Sequence, residues 1–132
     1  MGAKADIING EVLYDSGLDP VIIRRYNAGV TGGRTLDCTD FPDKTISAGH
    51  AIIYEESTDT YKPMPVADGK YSALPGSHIY AGILVGSIPA DKPFAAIMTV
   101  GEVNDKAVKY QFTAEMKEAI IKAFPGIMFT HD

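Results

Sequence analysis

The tightest constraint on this chain is its punctuation: each apolar run is short and stops at a glycine, a proline or a polar turn. Ile52-Ile53-Tyr54 follows Gly49 and ends at Glu55-Glu56, the run from Ile79 ends at Gly86, and Ile97 to Val100 ends at Gly101. Such spacing forbids long elements and favours many short ones. The apolar residues are weighted toward β-branching, with 14 Ile and 8 Val against 5 Leu. These side chains are stiff at χ1 and suit a pleated surface, so strands are expected over helices. At 132 residues the chain has room for one domain of ordinary size.

Charge and cysteine usage exclude whole classes of partner. The formal net charge is −5 and the largest basic cluster is the pair Arg24-Arg25, a balance that repels phosphate backbones, so no nucleic acid is expected. One cysteine forbids an intrachain disulfide, and His50, His78 and His131 are scattered singly. No metal and no other cofactor is therefore expected. No run approaches the roughly 20 apolar residues of a membrane span, and the first residues lack the apolar core of a signal peptide. The expectation is a soluble protein made in the cytoplasm, with no membrane partner. Met1-Gly2 suits myristoylation only superficially, because Asp6 stands where that signal needs Ser or Thr.

The chain divides by texture near residue 46. Residues 1–45 hold isolated apolar groups, Ile7-Ile8, Val12-Leu13 and Val21-Ile22-Ile23, followed by a glycine-rich stretch with little periodicity. They read as an extended N-terminal arm that buries too little surface to order without a partner. Residues 46–132 read as a β-rich domain. A strand from Gly49 to Tyr54 turns through the polar residues 55–59 into Thr60-Tyr61-Lys62-Pro63, a hairpin whose Pro63 and Pro65 belong at the sheet margin. Asp68-Gly69 makes a turn, and the strand beginning at His78 carries Gly82, which marks a bulge or a close backbone approach. One helix is expected over residues 113–124: Thr113 caps it, Glu115 and Glu118 lie toward its positive end, and Met116, Ala119, Ile120, Ala123 and Phe124 form its apolar stripe. Pro125-Gly126 stops it, and Ile127-Met128-Phe129 supplies a last strand. The expected fold is α+β, mainly β: a small barrel- or sandwich-like domain with one C-terminal helix and the extended arm.

No set of residues has the pattern of a catalytic or metal site. Cys38 with His50 or His78 lacks a nucleophile signature, and both histidines fall at strand rims. Glu55 and Glu56 are adjacent on a strand and point to opposite faces. Asp37, Asp40 and Asp43 lack the spacing and closing Glu of a calcium loop, and Gly29 to Arg34 lacks the Gly-Lys-Ser/Thr of a phosphate loop. Tyr54, Tyr61 and Tyr71 are accounted for by cross-strand packing. The expectation is therefore not an enzyme; a competing hydrolase reading would use His50 or His78 with Asp68.

An ordered set of landmarks resembles one family. Ile46-Ser-Ala-Gly49-His-Ala-Ile52-Ile53, the return Asp59-Thr60-Tyr61-Lys62-Pro63, Ala81-Gly82-Ile83-Leu84-Val85, Ile97-Met-Thr-Val100-Gly101-Glu102-Val103-Asn104, and a terminal helix closing on Gly126-Ile127 together resemble the head decoration, capsid-stabilising proteins of lambdoid tailed phages and prophages. The first part of the chain also looks like phage head fibre proteins. The resemblance implies a structural virion protein on the capsid exterior, made in the bacterial host, forming a homotrimer and binding the major capsid protein, with no active site. It implies an N-terminal arm that orders against the shell; Val21, Ile22, Ile23, Arg24, Arg25 and Tyr26 are its candidate capsid-binding residues, though the same residues suit a first strand of the domain equally well. The alternative is a head fibre or host-surface-binding module presenting its tyrosines and residues 68–77.

Overall fold

The computed structural model describes residues 17–131. Among these residues the fold is mainly β, as the β-branched composition predicts, with two helices where one was expected, and the six-stranded sheet does not close into a barrel. A four-residue helix α1 (Asp19–Ile22) leads directly into β1 (Ile23–Gly29). Two short strands, β2 (Arg34–Thr35) and β3 (Thr45–Ile46), precede the expected hairpin of β4 (Ala51–Glu55) and β5 (Thr60–Pro63). A tight hairpin follows, β6 (Val66–Ala67) and β7 (Lys70–Tyr71), turned by Asp68 and Gly69 with φ of 53° and 78°, the positive pair that an Asp-Gly turn supplies. The chain continues through β8 (His78–Leu84), β9 (Ile88–Pro89), β10 (Phe94–Ala95), β11 (Ile97–Asn104), α2 (Ala114–Ala123) and β12 (Ile127–Thr130).

The sheet runs β5-β4-β8-β11-β12, and β1 pairs with β11 as well. β11 is its hub. β1 lies antiparallel along one edge, while the other edge passes from β8 at Ile97 and Met98 to β12, in parallel, at Gly101 to Asn104. β5 ends the order, which puts Pro63 at the margin as its missing N–H requires.

Alternation along the strands feeds two cores. On β4, Ala51 and Ile53 face the larger core with Ile83, Met98, Val103 and Ile127, and α2 closes that side with Met116 and Ile120. Ile52 faces the smaller core with Leu84, Ile97, Ala95, Ile46 and Leu36. A strand buried on both faces reads as a continuous apolar run, which explains the texture of residues 51–54 and 80–85. Gly82 sits in close contact with the neighbouring strand β11: φ is +142°, and a Cβ there would lie 2.5 Å from the Met98 carbonyl oxygen. The register slips beside it, since Ile52 pairs with Gly82 but Ile53 with Tyr80. The helix is capped as expected, Thr113 Oγ1 accepting the Met116 N–H at 3.1 Å. Its buried stripe is narrower than expected, because Ala119 and Ala123 are exposed and Phe124 is half-buried.

The boundary expected at residue 46 is not where the fold begins. Residues 1–16 of the expected arm lie outside the described residues, but residues 19–46 are threaded through the domain. Asp19 accepts the Ser87 N–H and hydroxyl at 2.8 and 2.7 Å, and Ser87 Oγ accepts the Ala48 N–H at 3.0 Å. Ile22 is 4 % exposed in the larger core. β2 pairs with β10, β3 with β9, and Leu36 is buried beside β5, where the Asp37 N–H donates to the Tyr61 carbonyl at 2.8 Å.

Candidate functional site

The six candidate capsid-binding residues are divided between interior and surface. Val21 is exposed, Ile22 is buried, Ile23 is half-buried, and Arg24, Arg25 and Tyr26 are exposed on β1. Ile22 and Ile23 anchor the chain to its own sheet, which corrects their assignment as anchors for a partner. Ile23 pairs with Val103, Arg25 with Glu102, Tyr26 with Gly101, Ala28 with Val100 and Gly29 with Met98. Arg24 and Asn27 are therefore extra residues in β1 and Thr99 is extra in β11. A bulge re-aims the side chain it carries. Arg24 reaches across β11, with Nη1 donating to Thr130 Oγ1 at 3.2 Å and Nε 3.9 Å from Glu102 Oε2, while the Thr130 hydroxyl donates to Glu102 at 2.5 Å. Beside these groups Val100 and Met128 are exposed.

The histidines occupy separate environments. His50 was expected at a strand rim but lies in the core, 3 % exposed, ringed by Phe41, Tyr71 and Tyr110 at centroid distances of 5.2, 5.0 and 5.7 Å. Its Nε2 bonds the Met64 carbonyl at 2.8 Å. Burial holds its pKa down at about 4, against the opposing influence of that bond and of Asp43. The space around it has no room for a water-sized body. His78, paired across the sheet with Glu55, donates from Nδ1 to the Gly76 carbonyl at 2.8 Å, and its side chain is 8 % exposed. Asp68 sits in the exposed β6–β7 turn and lines neither histidine's surroundings.

Cys38 is half-buried, and burial, helped by the charge of Asp37, pushes its thiol up to about 11. That favours the thiol over the nucleophilic thiolate at neutral pH. Asp37 accepts the Thr39 N–H and hydroxyl, and Asp43 accepts the Tyr110 hydroxyl and the Lys109 ammonium, so these two carboxylates serve different loops. Among the described residues no group of three or more His, Cys, Asp or Glu side chains is placed to hold a metal ion. Tyr54 and Tyr61 stack across the β4–β5 hairpin with centroids 4.6 Å apart, as cross-strand packing predicts.

No protein-family model matches the chain, and no curated protein or solved structure is significantly similar to it. The surface of β1 carries a bulged arginine and an exposed tyrosine, and an aromatic cluster around His50 lies enclosed in the core. Sequence reasoning missed the Glu102–Thr130 contact of Arg24, because it joins residues more than 70 positions apart and only the bulge brings them together. It also missed the enclosure of His50, whose surrounding rings come from three separate segments.

Proposed function

We propose that the chain is a structural protein of a tailed-phage or prophage head, which binds the outside of the capsid and stabilises the shell as a homotrimer, with the major capsid protein as its partner. The observation that supports this reading most is the placement of the four glycines on which the family resemblance turns. A Cβ at Gly82 would collide with the Met98 carbonyl, one at Gly101 with the Arg25 carbonyl, one at Gly49 with Val108 and Ile22, and one at Gly126 would press on Val100. All four meet the same sheet and its flanks. The resemblance therefore follows the packing demands of one structural unit, not four scattered letters.

In this reading the shell-facing surface includes Val21, Arg24, Arg25 and Tyr26, while Ile22 and Ile23 hold that surface on the domain. A partner meeting β1 would be met by a fixed strand in place of a wholly extended arm. Three such surfaces joined in a trimer bind as a unit with high effective concentration, so each contact can be weak. No bond is made or broken.

The test is cosedimentation of the purified chain with expanded empty shells built from the major capsid protein encoded beside its gene. Saturable binding to expanded shells is expected. Retention on host cells or glycans without shell binding would replace the reading with a fibre or host-surface module, and the absence of a capsid gene nearby would remove its basis.

A further inference from the structure

We infer that the open groove between α2 and residues 72–74 binds an extended segment of a partner protein that places one aromatic side chain in it. The groove measures about 610 Å³, within the roughly 300–1,000 Å³ of ligand sites. Its floor is made by Met64, Tyr71, Tyr80 and Met116, all from the larger core. One wall is α2, where Glu115, Glu118, Ala119 and Lys122 share a side of the helix. Ala119 is the part of the expected apolar stripe that the core leaves uncovered. The other wall is Ser72, Ala73 and Leu74, and Leu74 is 37 % exposed. None of the residues assigned to the shell-facing surface lines the groove.

Three features decide what fills it. The Tyr80 hydroxyl has no hydrogen-bond partner among the described residues, although the residue is only 9 % exposed. It is not sealed either: among the described residues the enclosed side-chain polar atom without a partner is His78 Nε2. Solvent therefore reaches the hydroxyl, and Tyr80 lines this groove. Burial raises its pKa, with no hydrogen bond acting on it. Polar groups this far inside are nearly always paired, so a phenol left open at the floor of a groove marks a place for a ligand's donor or acceptor. The main chain of the wall is the second feature. The Ser72 N–H donates to the Pro65 carbonyl at 2.9 Å, and the ladder that continues from β7 stops there, leaving Ala73 and Leu74 with no main-chain bond. Leu74 precedes Pro75, which keeps it in the extended range. A peptide laid along this wall gains main-chain bonds while its side chain enters the groove, the division of labour of strand addition. The third feature is the floor, where two thioethers and two phenol rings suit an aromatic group through sulfur–ring contacts as well as area. A small apolar molecule would use the floor and leave the main chain of the wall to water.

The probe is the peptide acetyl-Lys-Thr-Phe-Thr-Lys-amide, titrated into the ¹⁵N-labelled full chain; its flanks are basic because the helix wall carries two carboxylates against one ammonium. The same peptide with Ala for Phe, and benzyl alcohol, are the controls. Saturable shifts at the amides of Ala73, Leu74, Met116 and Ala119 are expected with the Phe peptide and not with the Ala peptide. Tyr80→Phe removes a hydroxyl that pairs with nothing in the described residues, so it should keep the melting temperature and weaken peptide binding about fivefold, the worth of one hydrogen bond. Ala119→Gln sets a long side chain in the groove from an exposed helix position, and should keep the fold while abolishing saturation at peptide concentrations that fill the parent. No saturable shift, an equal response to the Ala peptide, benzyl alcohol bound as tightly as the Phe peptide, or a Tyr80→Phe protein that binds undiminished overturns the inference. The inference does not rest on the capsid reading: peptide binding without shell binding leaves it standing, and shell binding without peptide binding removes it alone.

Discussion

His50 and Gly82 show how far a single residue controls this fold. Burial holds His50 at a pKa of about 4, while the unfolded chain titrates near 6.5. Between those values the unfolded state takes up a proton that the folded state refuses, so stability is complete above pH 6.5 and falls as pH drops toward 4, by roughly 3 kcal/mol in all. Urea midpoints measured from pH 7.5 to 4.5 should decline on that curve, and His50→Gln should flatten it; an unchanged slope in the variant would assign the decline to other groups. Asp105, 5 % exposed, acts in stronger acid. Burial alone would raise its pKa, but hydrogen bonds from Lys117 and His131 outweigh burial and hold it below the ordinary 3.8. Its contribution is therefore present at pH values above about 4 and lost beneath them. At Gly82 the control is steric: Gly82→Ala should cost about 3 kcal/mol in thermal melts, through a strained φ and a collision with backbone. Gly76→Ala, with nothing within 4 Å, should fall within about 0.5 kcal/mol of the parent.

α1 and β1 are the elements whose role changes most between sequence and structure. Ile22→Ala should destabilise by about 2–4 kcal/mol and Val21→Ala by under about 0.5, because one side chain is 4 % exposed and its neighbour 48 %. Equal, small effects would return both residues to an arm. Deleting residues 1–30 should abolish cooperative unfolding, since it strips β1 from β11 and uncovers Val103 and Met98. The β4–β5 hairpin, the capped helix and the close approach at Gly82 were legible because each signal is local: a polar turn, a Thr three residues before the N–H it caps, a glycine inside an apolar run. β1 was not, because the bulges at Arg24 and Asn27 break the period of two that marks a strand, and its partner lies some 75 positions away. β2, β3, β9 and β10 are two residues long and have no period to detect. Of the candidate surface, Val21, the arginines and Tyr26 are exposed, whereas Ile22 looks the same in sequence as Val21 and differs only through the core that covers it.

At the scale of the whole molecule, the sheet carries two buried cores, and exposed groups available to meet another molecule include Arg25 and Tyr26 on β1 and Val100 and Met128 on the neighbouring strands. A protein that cements a shell acts through such surfaces in several copies at once. Sedimentation of the free chain is expected to give three times the 14.2 kDa of one protomer. The most direct measurement is the temperature at which expanded empty shells rupture, with and without saturating protein. A rise that vanishes with an Arg25→Glu, Tyr26→Ala double variant of unchanged fold is the expected result; rupture at the same temperature whether or not the protein is present would contradict a role in stabilising the capsid.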